Sequence, residues 1–103
     1  MHLRYEEFSN WLLTIDKRDK KQRSDNLSRA SRVECALSLY LEQKVDLDEE
    51  YQKDRCASIL EMLSFDYANR IPKSVNLPKD KEGLSSLRTA VNKYIKFCSK
   101  VNM

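Results

Sequence analysis

The sequence predicts an all-α protein: a small four-helix bundle with one long proline-containing loop between the third and fourth helices. Three observations carry that prediction. Over residues 84–101, Leu84, Leu87, Val91, Tyr94, Ile95, Cys98 and Val101 fall at offsets of three and four, the spacing of one helical stripe. Structure breakers are scarce, with one Gly and two Pro in 103 residues, too few for the close-set turns of a sheet protein. Apolar residues make up 41% and charged residues 34%, a balance suited to helices with one buried and one solvated face. A chain of this length forms a single domain, residues 1–103, whose core needs no covalent staple.

The first helix is expected from Leu3 to about Ile15, where Tyr5, Phe8, Trp11, Leu12 and Ile15 repeat at three and four. Its aromatics read as core, with an exposed partner patch as the alternative. Lys17 to Arg23 holds five bases around Asp19 and no apolar residue, so it reads as a solvated loop or a frayed helix end. Ser24 or Asp25 then caps a second helix, residues 25–42, with Ala30, Val33, Leu37, Tyr40 and Leu41 as its stripe. Cys35 lies off that stripe and is expected to be partly exposed.

The third helix is expected over 47–65, opened by Asp46 and by Asp48, Glu49 and Glu50 in its first turn, where carboxylates favour the helix dipole. Its face is Tyr51, Cys56, Ile59, Leu60, Met62 and Leu63. Pro72 and Pro78 forbid a helix interior, which leaves residues 66–83 irregular. That stretch is either packed down by Ile71, Val75 and Leu77 or a mobile functional loop. Gly83 is expected to ease the turn into the last helix, residues 84–101. On that helix Thr89, Lys93, Lys96 and Lys100 occupy a face away from the apolar stripe.

No run approaches the roughly 18 apolar residues of a membrane span, and the N-terminus lacks signal-peptide order. Cys35, Cys56 and Cys98 are odd in number and share no C-x-x-C spacing, so reduced thiols and a cytoplasmic setting are expected. The net charge is only +3, but it is unevenly spread. Residues 17–32 carry a net +5, residues 42–66 a net −5 and residues 70–103 a net +6.

Chemistry-bearing motifs are not visible. The only histidine is His2, and no phosphate-cradling Gly-rich loop, nucleophile elbow or cluster of metal ligands occurs. Cys56 and Cys98 sit on apolar stripes as small core residues. The sequence therefore reads as non-catalytic, with no cofactor, no metal and no small-molecule substrate.

Residues 28–97 nevertheless carry a recognisable order. Ser31-Arg32-Val33-Glu34 leads to Asp46-Leu47-Asp48, then Asp54-Arg55-Cys56 with Leu60 and Leu63. Ile71-Pro72 follows, then Leu87-Arg88-Thr89-Ala90-Val91 with Tyr94 and Phe97. This pattern resembles a helical accessory domain that precedes nuclease or motor domains in prokaryotic restriction and phage-defence proteins, among them HNH endonucleases and methylcytosine-restriction motors. The resemblance covers about two thirds of the chain and implies a non-catalytic role beside a DNA-acting machine. No nuclease or NTPase sequence follows within the 103 residues, so the resemblance implies either a fragment or a free-standing relative. A looser likeness is to the helical core-binding domain of tyrosine recombinases, although the Asp-rich third helix has no place there.

Two functional readings follow. In the first, basic helix faces contact nucleic acid through Lys17, Arg18, Lys20, Lys21, Arg23, Arg29, Arg32, Lys93, Lys96 and Lys100. Such contacts fall mainly on phosphate and weaken with salt. In the second, the acidic third helix and its basic flanks dock a protein partner or a second copy of the chain. A charged bundle whose surface bias has no ligand is the residual reading.

Overall fold

The computed structural model describes residues 5–14 and 20–101. They form six helices: α1 (Tyr5–Thr14), α2 (Lys20–Leu41), α3 (Leu47–Asp54), α4 (Ala57–Met62), α5 (Phe65–Ala68) and α6 (Lys81–Val101). No strand occurs among the described residues, and the all-α class stands. Where four helices were expected, the described chain has six.

The centre of the fold is aromatic. Phe8 of α1 meets Tyr94 of α6 edge-on at 5.0 Å and Phe97 at 5.4 Å. Trp11 lies 6.1 Å from Phe97. All four rings are buried, and Phe8, Trp11 and Leu12 meet the core expectation for the first helix; the side chain of Tyr5 and residue Ile15 lie outside the described residues. Offset and edge-to-face rings attract through their quadrupoles as well as through the area they bury. Around them pack Val33 and Leu37 of α2, Leu47 of α3, Ile59 and Leu63, and Leu87, Val91 and Cys98 of α6. Phe97 and Ala90 widen the apolar face of α6 beyond the stripe read from spacing, and Ile95 is only partly buried. Leu41, expected in the core, is exposed.

α2 begins earlier than the sequence suggests. Residues 20–23, expected as a solvated loop or a frayed helix end, are helical, and Ser24 and Asp25 lie inside the helix instead of capping it. Lys, Gln and Arg are good helix formers, and no breaker stands among them. The early turns also gain one local and one tertiary side-chain bond. Asn26 is buried, with its amide donating to the Gln22 carbonyl, and Arg23 donates to Ser9 Oγ at 3.0 Å. At the other end Glu42 takes a left-handed conformation. The Val45 N–H then donates to Ser38 Oγ and the Leu47 N–H to a Glu34 carboxylate oxygen, each at 2.8 Å. These bonds fix the short link into α3, which opens as expected: Asp46 caps it by accepting from the Asp48 and Glu49 N–H groups.

The single third helix expected over 47–65 is interrupted. Arg55 and Cys56 both adopt left-handed backbone, with φ of 56° and 63°. Each such non-Gly residue costs about 1–2 kcal/mol. The break is held by the Cys56 N–H on the Glu50 carbonyl and by burial of the Cys56 side chain, whose Sγ lies 3.5 Å from the Leu47 carbonyl oxygen. Asp54 accepts from both the backbone N–H and the hydroxyl of Ser58, in the first turn of α4. A straight helix would turn Ile59 about 120° and Leu63 about 160° from the face that Leu47 buries; the kinked chain buries all three, with Met62.

α5 occupies the start of the expected 66–83 loop, and α6 starts at Lys81, so the irregular stretch shrinks to residues 69–80. It is packed down: Ile71, Val75 and Leu77 are all buried. Lys79 Nζ donates to the Ala68 and Ile71 carbonyls at 2.6 Å each. Gly83 lies inside α6 and makes no left-handed turn. Its bare Cα admits Pro78, whose Cβ would stand 2.6 Å from any added Cβ.

Candidate functional site

α2 and α6 form the most extensive helix pair, and the other helices fix their relative direction. Tyr40, in the last turn of α2, lies beside Tyr67 of α5 and raises the pKa of its phenol, and Lys81 at the start of α6 lies 5.1 Å above the Phe65 ring of α5. At the opposite end Ser9 accepts from Arg23 near the start of α2, and its neighbour Phe8 packs on Phe97 near the end of α6. From Arg23 to Tyr40 is about 25 Å of helix, and from Lys81 to Phe97 about 24 Å, at roughly 1.5 Å per residue. The two helices therefore run antiparallel. The beginning of α2 and the end of α6 meet at one end of the molecule, both against α1.

This arrangement sorts the ten basic residues named from the sequence. Lys21, Lys96 and Lys100 are exposed. Lys93 and Arg29 are half-buried. Arg23 is half-buried as well, and its guanidinium reaches inward to Ser9. Arg32 is exposed but fixed, its Nε on the Asn76 carbonyl and an Nη on the Asn76 side-chain oxygen, both at 3.1 Å. Lys17 and Arg18 lie outside the described residues, as does the side chain of Lys20. Part of the positive charge of residues 70–103 is spent on the fold: Lys79 holds the 69–80 strap, and Arg88 donates to the Leu63 carbonyl at 2.8 Å. Lys21 and Lys96 with Lys100 thus mark the cationic end of the bundle.

The acidic third helix is also partly consumed. Asp48 Oδ1 accepts from the Tyr94 hydroxyl at 3.3 Å and lies 3.6 Å from Cys98 Sγ, joining α3 to α6. Glu50 pairs with Lys53. The hydrogen bond from Ser58 holds Asp54 below the usual carboxylate range. Burial pushes the Cys56 thiol up to about 12, which keeps it protonated and unreactive. Among the described residues no group of three His, Cys, Asp or Glu side chains is placed to hold a metal. No helix among them is long and apolar enough to cross a membrane.

One feature escaped the sequence reading. The outer face of α2 floors a broad groove of about 1120 Å³, walled by Ser9 and Asn10 of α1 on one side and by Ser74 and Asn76 of the strap on the other. Leu27, Cys35 and Leu39 lie in it, and Leu39 is 63% exposed. The available signal was Leu39 itself, which falls off the Val33–Leu37–Tyr40 stripe on an otherwise polar face.

Compared with known protein families, characterised proteins and solved structures, the chain finds no match.

Proposed function

We propose that the chain is a non-catalytic helical accessory domain that contacts nucleic acid through backbone phosphates, in a cytoplasmic restriction or phage-defence setting. The observation that supports this reading is the antiparallel pairing of α2 and α6, which gathers two basic segments distant in sequence at one end of the bundle. Lys21 lies in the first turn of α2 and Lys96 and Lys100 lie near the end of α6, all exposed. Lysine acts as a point charge toward phosphate, and phosphate contacts position a duplex without reading its sequence.

The test is a titration of labelled duplex DNA by fluorescence anisotropy at two salt concentrations. Three phosphate contacts alone weaken binding roughly 40-fold between about 50 and 200 mM salt. Replacing Lys21, Lys96 and Lys100 together with Gln lowers the slope of log affinity against log salt by about 2.7. Stability should stay within about 0.5 kcal/mol, because the three side chains are solvated. Absence of binding at low salt, or an unchanged slope in the triple variant, refutes the reading. The alternative, a protein-interaction or dimerisation module without nucleic-acid contact, draws on a separate observation, the apolar groove on α2.

A further inference from the structure

The geometry points to a docking site on the outer face of α2 for an acidic amphipathic helix of a partner protein. The floor of the groove follows one stripe of α2, Leu27, Ser31, Cys35 and Leu39, each four residues from the last. That stripe is about 18 Å long, the length of some three helical turns. Its ends are leucines and its middle is small, so a second helix can seat its own large apolar side chains between them at ordinary interhelical distance. Leu39, 63% exposed, is the most exposed of the large apolar side chains among the described residues. A helix laid in this groove covers it, in the manner of amphipathic helices that anchor at every third and fourth residue.

Charge selects the occupant. Arg23 and Arg32 both line the groove, and among the described residues Glu6 is the only carboxylate there. Both guanidiniums are held in place, Arg23 by Ser9 and Arg32 by Asn76, so their orientation costs little on binding. Arg23 Nε is buried and has no acceptor among the described residues. That donor is closed off from an incoming chain, so Arg23 contributes its charge to the groove wall, and a carboxylate on the incoming helix accepts from the remaining Arg32 N–H groups through charge-assisted bonds. A second copy docked face to face through the same groove would set these arginines against each other, which like-charge repulsion disfavours. A nucleic-acid backbone would satisfy the arginines but leave the leucines uncovered. The occupant that fits both is a helix with an apolar stripe flanked by Glu or Asp.

The fold supplies its own reporter. Cys35 is exposed in the groove, whereas Cys56 and Cys98 are buried, so in the native protein Cys35 is the thiol open to a disulfide reagent. The probe is a synthetic helix of about 18 residues, or ~27 Å, with Leu at helical spacing and Glu on both flanks, beside a matched peptide with Lys for Glu. At ten times its Kd the acidic peptide is expected to slow Cys35 modification about tenfold, at moderate salt where phosphate contacts are weak. The Lys peptide is expected to give no protection. Leu39→Lys, a change at an exposed position, should abolish protection, and Arg32→Glu should shift preference to the Lys peptide. Lys96→Gln with Lys100→Gln should leave protection unchanged, which separates this site from the cationic end. The inference is overturned by no protection by the acidic peptide, equal protection by both peptides, protection that survives Leu39→Lys, or equal protection by duplex DNA. Protection that rises with protein concentration alone would assign the groove to a second copy and likewise refute the acidic partner.

Discussion

Truncating Tyr94 tests whether the aromatic cluster holds α1, α3 and α6 together. The side chain is fully buried, 5.0 Å from the Phe8 ring and 5.5 Å from Phe97. A buried aromatic removes on the order of 150–250 Å² from water, worth about 4–6 kcal/mol at ~25 cal/mol per Å². Partial compactness of the unfolded chain trims that figure to about 3–4 kcal/mol. Ring pairing and the residual cavity raise it again, so Tyr94→Ala should cost about 4 kcal/mol. Against a total stability on the order of 5–15 kcal/mol, little is left. Tyr94→Phe keeps both ring contacts and removes only the hydroxyl that donates to Asp48 Oδ1. At 3.3 Å that bond is long for an O–H donor, so its loss should cost about 1 kcal/mol. Urea unfolding followed by fluorescence of Trp11, the single tryptophan, reads both variants from a probe 6.1 Å from Phe97. An alanine variant that loses less than about 1 kcal/mol would show that the ring is not core. A phenylalanine variant as unstable as the alanine one would place the energy in the hydroxyl and refute the packing account.

Other outcomes follow from the backbone and the thiols. Arg55→Gly removes the steric cost of a left-handed residue and should raise stability by up to about 1 kcal/mol in the same urea melt, after the entropy of Gly is subtracted. Gly83→Ala gains roughly 1 kcal/mol of helix propensity but forces its methyl against the Pro78 ring, for a net loss of about 1 kcal/mol; a rise in melting temperature would mean that Pro78 yields. Native protein at about pH 8 should release one equivalent of thiol to a disulfide reagent, and unfolded protein three. Cys56 stays protonated in the fold up to about pH 12, while an unfolded thiol ionises near pH 8.5. Its contribution is therefore complete below the unfolded value and is lost as pH rises between the two, by at most about 1.4 kcal/mol per pH unit. Cys56→Ala should flatten that alkaline slope in melts between about pH 9 and 11.

The all-α class and the buried faces of the first and last helices were legible in the sequence, because hydrophobic spacing is a local record of which side of a helix meets the core. Phe8, Trp11, Leu87, Val91 and Tyr94 all lie where that spacing puts them. The cap at Asp46 was legible for the same reason: side chain and acceptor lie within three residues. What failed was decided by partners far along the chain. The start of α2 at Lys20 rests on Ser9 meeting Arg23, a contact across the α1–α2 connection. The break at Arg55 and Cys56 carries no Gly or Pro to announce it; two strained residues are tolerated because the turn buries Cys56 and the α4 side chains together. The ten basic residues were legible only as a list. Tertiary contacts decided which of them serve the fold, as Arg32 does at Asn76, and which stand exposed at one end, as Lys96 and Lys100 do. Charge in a sequence fixes how much cation a chain has; only the packing of α2 against α6 fixes where it faces.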